Sequence, residues 1–259
     1  MPIAILLAAS IAVGGTLLSF GAPSTTPVID VQIVNAFPHD TTSFCQGLVV
    51  FNGALLEGTG QYEHSRLRLV DLESGRPSVD IALPDNVFGE GVTVWENTIL
   101  QLTWKNGYLI TYDAKTFQKN GYVELKRIDR SLYEGWGITH DGQHLIISDG
   151  SATLRYVDPK TFQLVRRVQV KDGRRSISKL NELEFVNGEI FANIWYKDQI
   201  AKIDPASGQV TGWLNVAPLR PAAVKNDREA ALNGIAWDAG SKRLFITGKN
   251  WPAVYEISF

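Results

Sequence analysis

The chain has 259 residues, 44% hydrophobic and 20% charged, enough for one large domain with a sizeable core. Its 25 basic and 27 acidic residues leave a formal charge of -2, so no electrostatic footprint for nucleic acid stands out. A single cysteine, Cys45, excludes an internal disulfide and a cysteine-rich metal site.

The chain opens on MPIAILLAASIAVGGTLLSFGAPSTTP, apolar at first and then small and turn-forming. That pattern reads as a signal peptide over residues 1–26, although the usual basic start is missing and the first Lys or Arg is Arg66. Export to the periplasm or medium is expected, or an uncleaved anchor as the one membrane contact. The folded part is expected over residues 27–259.

A strand follows at DVQIVNAF, residues 30–37, and then the chain repeats itself. Five segments align: CQGLVVFNGALLEGTG from Cys45, GEGVTVWENTILQLTW from Gly89, GWGITHDGQHLIISDG from Gly135, LNELEFVNGEIFANIW from Leu180 and LNGIAWDAGSKRLFITGK from Leu232. Their second residues, Gln46, Glu90, Trp136, Asn181 and Asn233, are spaced by 44, 46, 45 and 52. A period in the forties with short alternating strands is the mark of propeller blades. Four segments continue into a third strand and an Asp-initiated turn: LRLVDLESG, LITYDAKTF, LRYVDPKTF and IAKIDPASG. The last segment ends one strand short at AVYEISF. The expected fold is all-β, a five-bladed β-propeller closed by pairing DVQIVNAF with that final strand, which removes an open edge.

In such a ring the second residue of each segment starts the innermost strand. Fourteen residues later the chain returns to the same rim at Gly60, Trp104, Gly150, Trp195 and, after a longer turn, Lys249. Antiparallel pairing then brings both series to one mouth of the central channel. Gln46, Glu90, Trp136, Asn181, Asn233, Trp104, Trp195 and Lys249 should converge there. A framework position would carry the same residue in every blade, as the following glycine nearly does. The starting position varies, which is how a site on a constant scaffold looks. Trp95, Trp213, Trp237 and Trp251 fall outside both series and read as framework.

The stretches FPHDTTSFCQGL, FGEGV, EGWGIT, LNELEF and TGKNW together resemble the glutaminyl cyclases of the plant and bacterial type. The resemblance spans the whole repeat region and implies a five-bladed propeller. It implies an enzyme that converts the N-terminal glutamine of peptides or proteins to pyroglutamate and releases ammonia, without a catalytic metal or other cofactor. It puts the catalytic glutamate on Glu90 and pocket residues on Phe44, Gln46, Phe88, Trp104, Trp136, Asn181, Trp195 and Lys249. Cys45 departs from the motif, where threonine is more usual. Whether an ion plugs the channel is left open, and a monomer is expected.

The chemistry suits these residues. The nucleophile is the substrate's own amine, with a pKa near roughly 8, so the protein must fold the substrate and move protons. Glu90, the one acid of the inner series, could take a proton from the amine and give it to ammonia. Gln46, Asn181 or Lys249 could donate to the oxyanion, while the five aromatic residues exclude water and raise the Glu90 pKa. The rival reading is a non-catalytic propeller that binds peptide or carbohydrate at a Trp-lined mouth. A calcium-dependent hydrolase would need more acids there than Glu90 and Asp149.

Overall fold

The computed structural model describes residues 26–259; the leader expected over residues 1–26 falls almost wholly outside them. Among the described residues no helix is long and apolar enough to cross a membrane.

Strands dominate: five sheets form blades around one axis, and Lys171–Asp172 pairs with Arg175–Ser176 as a small sixth sheet. Blade one holds Cys45–Phe51, Ala54–Thr59, Arg66–Val70 and Pro77–Ala82. Blade two holds Gly89–Trp95, Thr98–Thr103, Tyr108–Asp113 and Lys119–Glu124. Blade three is shorter near the axis, with Ile138–His140, Leu145–Ile147, Thr153–Val157 and Leu164–Gln169. Blade four runs Leu180–Val186, Glu189–Ile194, Gln199–Ile203 and Val210–Asn215. Blade five has Leu232–Asp238, Arg243–Gly248 and Ala253–Ser258. Each inner strand packs against the inner strand of the next blade, and the fifth against the first.

The N-terminal strand is Gln32–Pro38, antiparallel to Ala253–Ser258, with Gln32 opposite Ser258 and Pro38 opposite Ala253. It begins two residues later than expected, because Asp30 belongs to another strand. Val28–Asp30 lies parallel to Val210–Asn215 as a fifth strand on blade four. Only Val31 separates the two pairings. A three-residue strand has no periodicity to read, so the sequence did not announce it.

Five apolar clusters fill the five seams between neighbouring blades. The alternation that marks the strands is thus two-faced: each blade buries one face against each neighbour. The outer turns repeat as well. Asp71, Asp113, Asp158 and Asp204 each accept the backbone N–H and the hydroxyl of the Ser or Thr three residues on. These side chains replace the ladder where the chain reverses.

The axis itself is nearly closed. At Gly47, Gly91 and Gly137 any side chain would collide with the backbone of the next blade. Blade four carries Glu182 at this position. Its carboxyl accepts the backbone N–H groups of Leu48 at 3.4 Å and Ile235 at 2.9 Å, from blades one and five. Two residues on, Glu184 accepts the Trp237 N–H and the Thr139 hydroxyl. Burial raises both carboxyls, Glu184 to about 8. The two carboxyls thus tie blade four to blades one, three and five around the axis.

Candidate active site

In blades one, two, four and five the ladder shifts register where the inner strand begins, between Cys45 and Gly47, Gly89 and Val92, Leu180 and Leu183, and Leu232 and Ile235. A bulge there re-aims a side chain out of the alternation. This frees Gln46, Glu90 and Asn181 from the pleat. On the return strand the chain leaves the rim through left-handed residues, Gln61 (φ 85°), Tyr196 (φ 67°) and Asn250 (φ 60°). Each directly follows a rim position.

The result is one cavity of about 460 Å³. The nine residues that the family resemblance puts at the site all line it: Glu90, Gln46, Asn181, Lys249, Phe44, Phe88, Trp104, Trp136 and Trp195. Glu90 is only 4% exposed. Burial drives its carboxyl well above the usual carboxylate range, opposed by the Lys249 charge and reinforced by Glu134. Burial likewise lowers the Lys249 ammonium, opposed by Glu90. The Lys249 Nζ lies 4.5 Å from the centre of the Phe44 ring.

One hydrogen-bond chain fixes how Glu90 is held. Asn233 Nδ2 donates to the Cys45 carbonyl and to Gln46 Oε1, both at 3.0 Å. A backbone carbonyl can only accept, so the Asn233 amide must turn its NH₂ that way. Gln46 must then present its oxygen to Asn233 and its NH₂ to Glu90, whose Oε1 it reaches at 3.0 Å. Glu90 thus receives a donor whose orientation is set two residues back.

The aromatic lining falls into two groups. Phe88 makes edge contacts with Phe44 at 6.3 Å and with Trp104 at 5.4 Å. Trp136 meets Trp195 at 5.3 Å, and Trp195 stacks on Tyr196 at 4.1 Å. The rim position of blade three is Gly150, at φ 77°, and the Trp136 ring fills the space a side chain there would need. The Trp136 Nε1 and Asn181 Oδ1 atoms are buried without a hydrogen-bond partner in the protein. Both therefore have unused capacity, one as donor and one as acceptor, beside the cavity.

Two expectations need correction. Asn233 is fully buried and does not line the cavity. The next residue, Gly234, has φ 122°, a backbone turn that the other series glycines do not make, and Asn233 ends up supporting Gln46 from behind. Asp149 is no mouth acid: it pairs with Arg155 at 2.8 Å and caps Ser151. Conversely, Gln61, Lys105, Glu134 and Glu229 line the cavity and were not read from the sequence. Gln61 and Lys105 directly follow the rim positions Gly60 and Trp104, which was the available signal. Trp213 and Trp251 are buried in the seams, as framework residues should be.

Comparison with known proteins agrees with this picture. The family model described as glutamine cyclotransferase matches residues 5–259. A glutaminyl-peptide cyclotransferase of Arabidopsis thaliana is 37% identical over 231 residues, 88% of this chain and 71% of the relative. The crystal structure of Myxococcus xanthus glutaminyl cyclase superposes with a TM-score of 0.82 at 37% identity, covering 90% of this chain and 97% of that one. A match across nearly the full length, joined to the same five-bladed architecture, means that the chain belongs to the glutamine cyclotransferase family.

Proposed function

We propose that the cavity binds the N-terminal glutamine of a peptide or protein and cyclises it to pyroglutamate, releasing ammonia. The observation that carries this reading is Glu90: one carboxyl, 4% exposed, at an aromatic-walled mouth and held by a directed amide donor. Family membership and the two named relatives support it over a non-catalytic peptide or carbohydrate binder.

The glutamine stem lies between the Phe88–Trp104 and Trp136–Trp195 walls, which bend it so that its amine meets its own amide carbon. The amine attacks the side-chain carbonyl, forming the ring C–N bond, and Glu90 takes the amine proton. The raised carboxyl pKa brings Glu90 nearer the amine's own value of roughly 8, so the transfer is closer to balanced. The oxyanion accepts from the Trp136 Nε1–H or from Lys249. Collapse breaks the old C–N bond, and Glu90 returns the proton to the leaving group as ammonia. Asn181 Oδ1, without a partner in the protein, accepts from the amine or from departing ammonia. The substrate supplies its own nucleophile, so the reaction is an intramolecular aminoacyl transfer, and here it runs on Glu90 as proton carrier without a catalytic metal or other cofactor. The chain acts as a monomer, after export through its leader.

The test is ammonia release from a glutamine-initiated dipeptide and from its N-acetylated form. Turnover of the free peptide alone is expected. Equal turnover of both would refute attack by the α-amine, and turnover of neither would refute the cyclase reading.

A further inference from the structure

A second groove of about 700 Å³ runs from the lip of the active-site cavity and shares Lys105 and Glu134 with it. Another cavity, around Arg66 and Arg68, shares only Gln61. The groove is built from the outer half of blade two and the loop that leads to Trp136. Its wall is phenolic. Tyr108 and Tyr122 sit on paired strands with ring centres 5.5 Å apart, and Tyr133 joins them from the loop. Tyr122 and Tyr133 are each 63% exposed, and the ammonium of Lys126 lies 4.9 Å from the Tyr133 ring. Three tyrosines on one wall, two of them open to water, need a reason. Tyrosine offers large, rigid contact area at low entropic cost, which is why it is favoured where peptides are gripped.

We propose that this groove is the subsite for the peptide chain that follows the cyclising glutamine; the proposal rests on the cyclase reading of the adjoining cavity. A substrate whose first residue is enclosed by the aromatic lining must leave through the lip, and Lys105 and Glu134, which line both cavities, put the tyrosines next to that lip. An extended chain advances about 3.3–3.6 Å per residue, so the second to fourth residues lie along the groove. Its charges are Lys105 and Lys126 against Glu124 and Glu134, two of each sign, so it selects no net charge. It selects side chains that pack on phenol rings: aromatic residues and proline at positions three and four. Tyr122 and Tyr133 are specificity-determining residues.

The experiment compares Gln-Ala, Gln-Ala-Gly-Gly-Ala and Gln-Ala-Tyr-Phe-Ala as substrates of the full chain and of the Tyr122→Ala/Tyr133→Ala double variant. The aromatic pentapeptide is expected to have a KM about 3- to 10-fold below the dipeptide in the wild type, the range of one or two aromatic contacts, with kcat little changed because this binding is equal in ground and transition states. In the double variant the KM ratio of the two peptides should fall to near one. Equal KM for all three peptides in the wild type would overturn the proposal, as would a double variant that raises the KM of dipeptide and pentapeptide alike. Cyclisation of none of the three would sink the underlying cyclase reading and the subsite with it, an outcome distinct from either.

Discussion

Replacing Gln46 with methionine isolates what the directed amide does for Glu90. Methionine keeps the length and the apolar volume but has no N–H to offer. The bond it removes joins two buried side chains at 3.0 Å and stabilises the ionised form of Glu90 more than the neutral form, whose carbonyl oxygen accepts more weakly. A hydrogen bond contributes about 1.5–3 kcal/mol to a charged group and about 0.5–1.5 kcal/mol to a neutral one, a difference of about 1–1.5 kcal/mol, and one pKa unit corresponds to about 1.36 kcal/mol. The Glu90 pKa, already raised by burial, should therefore rise by about one further unit. Glu90 must be deprotonated to accept the amine proton, so the acid limb of the kcat/KM profile should move to higher pH by that amount. The assay is initial-rate ammonia release across the pH range with one peptide for both enzymes, so the titration of the peptide's own amine cancels. Acid limbs that coincide within a few tenths of a unit, while kcat falls, would show that Gln46 serves the substrate and not Glu90.

Asn233→Leu should move the same limb in the same direction, because the Gln46 amide loses the partner that orients it. Combined with Gln46→Met it should add no further shift, and a fully additive pair would refute the chain of three side chains. Glu90→Gln should reduce kcat by roughly 100- to 10,000-fold with little change in thermal midpoint; a folded variant keeping more than about a tenth of wild-type kcat would exclude Glu90 as the proton carrier. Glu184 has its carboxyl pushed up to about 8 from an ordinary 4.5, so its folded form binds the extra proton. Its contribution to stability is complete below about 4.5 and is lost as pH rises through about 8. Glu184→Gln imitates the protonated acid and should flatten the decline in melting temperature over that window; an unchanged slope would show that Glu184 is ionised throughout.

The propeller was legible because each blade must meet the same packing demand, and equal demands leave a period. The cavity was legible for a related reason. Glu90, Gln46 and Asn181 vary at a position where the neighbouring glycines do not, and Lys249 falls on the returning strand. Less could be read where the backbone leaves the repeat. Asn233 occupies a series position, yet the turn at Gly234 sends it beneath Gln46, and torsion angles leave no mark in residue type beyond the glycine itself. Glu134 and Glu229 come from connections whose lengths differ between blades, so no register assigned them to the mouth. Glu182 takes the place of the glycine found in the other four blades, and no role was read for it from the sequence. Its reach to Leu48 and Ile235 depends on room along the axis that only the other four blades define.

The pairings of Val28–Asp30 and Gln32–Pro38 also dictate an order of assembly. Gln32 finds its partner at Ser258, so one of the first strands synthesised waits for nearly the last. Until residues 253–258 emerge, Gln32–Pro38 has no neighbour in blade five, and its unpaired edge is open to pairing with other chains. Docking of Val28–Asp30 on blade four can come sooner, since Val210–Asn215 precedes blade five in the chain. The early strand can thus be parked one residue, Val31, from its final place. Closure then needs only the last hairpin to arrive, instead of a search by both ends of the chain, which lowers the loop-closure entropy of the longest-range contact in the molecule.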